Sequence, residues 1–127
     1  MDKPCKVYVA YRYSCDGKVV NILNSIGRAT RVGVELARLG YYPYVPHLDW
    51  LMSAMDGAEN HPALPLEYYY SQGIAWLNAC DCMLLVDAND VHTSVGVKRE
   101  YDYCKANGIP MFYNIPELEY ACRKTKP

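Results

Sequence analysis

No run of about 18 consecutive apolar residues occurs in the 127-residue chain, so no helix long enough to cross a bilayer is expected and the membrane is excluded as a partner. The opening Met1-Asp2-Lys3-Pro4-Cys5 lacks the apolar stretch of a secretory signal, and the cytoplasm is the expected location. Charge of one sign is missing as well: 13 Lys plus Arg stand against 14 Asp plus Glu, a formal net charge of −1. Neutralising phosphates along a nucleic acid polymer needs a basic face, so no such polymer is expected as a partner. The six cysteines, at 5, 15, 80, 82, 104 and 122, contain no C-x-x-C pair, so no metal site is expected and the thiols should remain reduced. Phenylalanine is nearly absent, with Phe112 alone against 13 tyrosines. Rings with hydroxyl tips suit a polar cleft that stacks a flat ligand, or a wet protein interface. Repeats, linkers and low-complexity tracts are also missing, and 51% hydrophobic residues are enough for one core, so residues 1–127 read as a single domain.

What is present alternates between strand and helix patterns. Lys6 to Tyr11 is a β-branched and aromatic run that breaks at Ser14-Cys15-Asp16-Gly17. From Asn21 to Leu39, Ile22, Ile26, Ala29, Gly33 and Leu36 recur at helical spacing, and Gly40 ends the helix. Tyr42 to Val45 is a brief second strand. Residues 47–65 carry Gly, Asn and prolines without a sustained period and read as a long loop, with one helical turn near Asp49 to Met55. Leu66, Tyr70, Ile74 and Leu77 mark a second helix. Cys80 to Val86 is a near-continuous apolar strand of the kind covered on both faces. The loop Asp87 to Val95 leads to a third helix, Gly96 to Asn107, then a strand at Ile109 to Tyr113 and a final helix at Pro116 to Lys124. Strands separated by helices imply right-handed βαβ units. The expected architecture is an α/β, Rossmann-like three-layer sandwich with a doubly wound parallel sheet in the order 2-1-3-4.

Strand order then reverses between the first and third strands, and ligands in such folds bind beyond the carboxyl ends of the strands at that point. The segments Tyr11 to Lys18 and Asp87 to Gly96 converge there. Glu100 falls inside the apolar stripe of Val97, Tyr101 and Cys104, so its carboxylate either points inward or turns out to pair with Lys98 or Arg28. It follows Ser94-Val95-Gly96, where a hydroxyl and free amides can receive a phosphate or Ser94 simply caps the helix. Tyr8 is either a core ring or a hydroxyl reaching toward the carboxyl edge of the sheet. Arg12, Ser14 and Gly17 follow the first strand and suit a phosphate, while Asp87, Asp90 and His92 are either ligand-facing or solvated loop residues. His47 reads as a cap on the loop after the second strand.

The segments KVYVAYRYS, ARLGYYPYVPHL, GIAWLNACDCMLLV, SVGVKRE and NGIPMFY, in this order, resemble the nucleoside 2-deoxyribosyltransferase-like superfamily. That group includes deoxyribosyltransferases, nucleoside 5′-monophosphate N-glycosidases and small uncharacterised phage and bacterial proteins. The likeness rests on the S-x-G-x-x-x-E element (Ser94, Gly96, Glu100), the strand-one tyrosine Tyr8, and the A-W-L-x-x-C-D joint from Ala75 to Asp81. It implies cleavage of an N-glycosidic bond by hydrolysis or deoxyribosyl transfer, with Glu100 as nucleophile at C1′ and Tyr8 holding it, and with no cofactor. The resemblance also implies that Arg12, Ser14, Gly17, Ser94 and Gly96 bind a 5′-phosphate, that Tyr11 and Asp87 lie at the ligand, and that the chain forms a homodimer or higher homo-oligomer, with Tyr68 to Tyr70 at the interface. Relatives carry an aspartate where this chain has Gly73 and a small residue where it has Tyr11. Asp87, Asp90 or His92 then substitutes for that aspartate, or the chain is a catalytically impaired nucleotide-binding protein that sequesters or senses its ligand.

Overall fold

A computed structural model of the chain describes residues 5–13, 17–58 and 63–124. Strand β1 (Lys6–Ala10) alternates its side chains between two cores, and the rest of the fold follows from that alternation. Val7 and Val9, with Cys82 and Leu84 of β3 (Cys82–Leu85), pack under α1 (Val19–Arg38) and α6 (Ile115–Lys124) through Ala29, Leu36, Leu118 and Cys122. Tyr8, Ala10, Met83 and Leu85 face the other way, against Leu77 of α3 (Leu66–Ala79) and Val97 and Cys104 of α5 (Val95–Asn107). Helices on both faces of one sheet make the three-layer sandwich.

The sheet has four parallel strands in the order β2-β1-β3-β4, with β2 at Tyr42–Tyr44 and β4 at Met111–Phe112. Tyr8 lies opposite Tyr44 on one side and Met83 on the other, at the centre of the sheet. Helix α1 seats closely on β2 because residue 33 has no side chain: a Cβ there would stand 2.8 Å from Val45 Cγ2. Helix α5 ends at Gly108, whose φ of 68° is the left-handed conformation of a helix stop.

The segment 47–65 departs from the expected loop. A 3-10 turn (Pro46–Asp49) runs into a nine-residue helix, α2 (Trp50–Ala58). Its period was not legible because Leu51, Met52 and Met55 do not face the chain's own core; they are 63%, 46% and 62% exposed. Leu66, expected in the buried stripe of α3, is exposed, and on α1 Ser25 is buried while Ile22 and Ile26 are only partly so. A single helical turn, α4 (Asp90–Thr93), interrupts the loop after β3. Both β3 and β4 are shorter than their apolar runs: β3 extends only over its ladder with β1, Cys82 to Leu85, and β4 only over its two pairs, Met111 with Met83 and Phe112 with Leu84. Among the described residues, no helix is long and apolar enough to cross a membrane.

Candidate functional site

The alternation of β1 aims the Tyr8 ring into the layer of α3 and α5, and α5 turns Glu100, on its second turn, toward the same space. The Tyr8 hydroxyl donates a hydrogen bond to Glu100 Oε2. Glu100 therefore points inward and pairs with neither Lys98 nor Arg28; Lys98 binds Asp102 instead. Burial pushes the Glu100 carboxyl up to about 7, against the Tyr8 hydrogen bond that lowers it. Burial, and after it the charge of Glu100, drives the Tyr8 phenol well above its ordinary value, so it stays a donor. Gly73 lets α3 approach this pair closely: a Cβ there would lie 3.0 Å from the Tyr8 hydroxyl and 3.9 Å from Glu100 Oε2.

Ser94 caps α5, its Oγ accepting the Val97 amide at 3.3 Å. Gly96 lies beneath the Tyr70 ring, where a Cβ would meet Cε1 at 3.3 Å. The Arg99 guanidinium covers the same ring, 4.5 Å from its centroid, while binding Glu67 at 2.7 Å.

Arg12, at the root of the loop after β1, is held through its amide and through one guanidinium nitrogen. Its amide donates to Asp90 Oδ2 at 2.9 Å, and its guanidinium reaches Asp87 at 3.1 Å and the other Asp90 oxygen at 3.2 Å. Asp90 is 2% exposed, so this pairing is what makes its burial tolerable. From the end of β2, His47 Nε2–H donates to the carbonyls of Tyr11 (2.8 Å) and Arg12 (3.1 Å). Burial lowers the His47 pKa, and the neutral ring leaves Nδ1 buried without a hydrogen-bond partner.

Tyr8, Glu100, Ser94, Gly96, Arg12 and Asp87 thus gather at the carboxyl edge of β1 and β3. Tyr11 does not join them on the Glu100 side. It continues the Val7 and Val9 side of the strand, is 7% exposed in the α1 core, and carries Arg12 over its ring at 4.4 Å. The alternation of β1 already dictated that side. Ser14 lies outside the described residues, Gly17 is exposed at the start of α1, and His92 is exposed on α4.

Asp49 was not singled out from the sequence. It ends the 3-10 turn after β2, accepts the Gln72 amide at 2.9 Å, and lies 3.4 Å from the Tyr44 hydroxyl. Tyr44 stacks on Tyr8 at 5.7 Å and on Trp76 at 5.3 Å, so Asp49 sits one ring from the Tyr8–Glu100 pair. Burial, with the Asp49 charge among the further causes, pushes both Tyr13 and Tyr44 up to about 12. Only its place after β2 hinted at such a position, because the partners come from residues far along the chain. Among the described residues, no group of three or more His, Cys, Asp or Glu is arranged to hold a metal ion.

No protein-family model matches the chain, and no curated protein matches it either.

Proposed function

We propose that the protein cleaves the N-glycosidic bond of a nucleoside or nucleoside 5′-monophosphate, by hydrolysis or deoxyribosyl transfer, with Glu100 as nucleophile. The observation that carries this reading is the inward-pointing, desolvated carboxylate of Glu100, held by the Tyr8 hydroxyl. An oxocarbenium-like transition state is stabilised by an adjacent carboxylate. Glu100 attacks C1′ as the C1′–N bond breaks, and the base departs with the bonding electrons and takes up a proton. Water, or a second base, then attacks C1′ of the glycosyl ester and frees the carboxylate. The Tyr8 hydroxyl fixes which oxygen of Glu100 remains bonded and which is free to attack. A panel of ribo- and deoxyribonucleosides and their monophosphates, chromatographed for free base, tests the reading. Base release abolished in Glu100→Ala supports it; no release from any substrate overturns it.

Gly73 itself favours a second reading, a nucleotide-binding protein impaired in catalysis, since residue 73 offers no acid or base to the leaving group. That reading predicts thermal stabilisation by ligand that persists in Glu100→Ala, without turnover. The N-glycosidic reading needs no cofactor. A cytoplasmic setting fits the free thiols at Cys5, Cys80, Cys82, Cys104 and Cys122. A homodimer fits the exposed apolar residues Leu51, Met52 and Met55 of α2 and Tyr68 of α3. Sedimentation of wild type against Met55→Glu tests the dimer.

A further inference from the structure

We infer that Asp49 is the second carboxylate of this site, the general base that accepts the proton of the water or nucleobase that resolves the glycosyl ester on Glu100. This rests on the N-glycosidic reading above and adds to it a group which that reading leaves without a role.

The chemistry calls for such a group. In a retaining mechanism one carboxylate forms the glycosyl ester and another takes a proton from the nucleophile that breaks it. Residue 73, a glycine, supplies neither acid nor base. Asp87 and Asp90 both pair with the Arg12 guanidinium, and Asp90 also accepts the Arg12 amide. His92 is exposed on α4.

Asp49 ends the 3-10 turn that follows β2, at the same carboxyl edge of the sheet. Strand register accounts for its approach to Glu100. Tyr8 and Tyr44 are partners across β1 and β2, and both rings enter the layer of α3 and α5. They stack with centroids 5.7 Å apart and planes inclined by 25°. Each phenol meets a carboxylate: Tyr8 donates to Glu100, and the Tyr44 hydroxyl lies 3.4 Å from Asp49 Oδ2. Two carboxylates far apart in the chain therefore stand on neighbouring phenols.

Gln72, the residue before Gly73, fixes Asp49 from the helix side, its amide donating to Oδ2 at 2.9 Å. Among the described residues, Oδ1 has only the Tyr44 hydroxyl, at 3.5 Å, and so keeps lone pairs for an arriving proton. After burial and Glu100, the Asp49 charge is also among the causes that raise the Tyr8 phenol, so its field reaches the hydroxyl that Glu100 accepts.

The step balances. Water oxygen bonds to C1′ as the ester C1′–O bond breaks, and that bond's electron pair returns to the Glu100 carboxylate. The water proton passes to Asp49 and from there to solvent. In transfer, an N–H of the incoming nucleobase takes the place of the water.

The test is rapid-quench kinetics of Asp49→Asn on a nucleoside or monophosphate that the wild type cleaves. Steady-state turnover should fall by about 100-fold or more, the typical worth of a general base. A burst of about one equivalent of nucleobase should precede it, because ester formation does not need Asp49. Intact-protein mass should then show the sugar retained on the variant. Azide, a nucleophile with no proton to lose, should restore turnover in Asp49→Asn and not in Glu100→Ala. Gln72→Leu keeps the carboxylate and removes the donor that orients it; a smaller burst there reads the same step if Asp49→Asn does not fold, and its absence then overturns the inference. Near-normal turnover of Asp49→Asn, or a loss that lacks the burst or that azide does not relieve, also overturns it and leaves N-glycosidic cleavage standing. No nucleobase released by the wild type from any substrate overturns the inference together with the reading beneath it.

Discussion

The hydroxyl of Tyr8, in the middle of β1, donates to the carboxylate of Glu100, 92 residues later on α5. The bond crosses from the central strand to the helix layer and has two opposed effects. It lowers the Glu100 pKa, while the burial that makes it possible raises the same pKa by more.

Removing the donor separates these effects. Hydrogen bonds to charged groups contribute about 1.5–3 kcal/mol, so Tyr8→Phe should reduce kcat/KM for base release by about 10- to 100-fold. The pH at which activity rises should also move upward, because Glu100 loses the partner that favours its ionised form. A pH profile of kcat/KM reads both, and an unmoved midpoint would show that Tyr8 only packs.

Glu100 should tax the fold at alkaline pH. Its folded pKa of about 7 lies above the ordinary 4.5, so the stability tied to the neutral carboxyl is fully present below 4.5 and lost as pH rises through 7. At 1.36 kcal/mol per unit, the loss is at most about 3.4 kcal/mol. Urea unfolding should find Glu100→Gln more stable than wild type at pH 8, with the gap closing toward pH 4.

His47 should act in the opposite direction. Its folded pKa is depressed below 6.5, so its contribution is full above 6.5 and is lost as pH falls below that value toward the folded pKa. His47→Leu strips the donors from the Tyr11 and Arg12 carbonyls and should cost about 1–3 kcal/mol at pH 7.5. The cost should shrink at pH 5, where wild type must protonate a buried ring; a constant cost across unfolding curves at the two pH values would refute this.

Two glycines should divide stability from activity. Gly33→Ala drives a methyl to within 2.8 Å of Val45 in the α1 core and should destabilise by about 1–3 kcal/mol while leaving turnover near normal. Gly73→Ala gains helix propensity of about 1 kcal/mol, which masks its clash, yet places the methyl 3.0 Å from the Tyr8 hydroxyl. Its melting temperature should stay close to wild type while base release falls.

Local pattern carried most of the fold into view. The β-branched and aromatic run of β1, the helical spacing of α1 and the continuous apolar run of β3 point to element type and, through the right-handed crossover, to the strand order. Helix α2 escaped because its apolar residues face solvent, leaving no buried stripe to detect. Within the site, Glu100 was legible as a charge inside an apolar stripe and Tyr8 as a hydroxyl on the right side of a strand. Asp49 and the grip on Arg12 were not, since hydrogen bonds spanning 23 to 78 residues leave no local periodicity.

The stack of Trp76 on Tyr44 and of Tyr44 on Tyr8 gives the protein an optical readout of its own. Trp76 is half exposed, two rings from the hydroxyl that Glu100 holds, and Trp50 is its sole companion in the chain. With Trp50→Phe, the fluorescence of the single remaining indole should change as Glu100 ionises, an expected outcome that a pH titration of the emission checks.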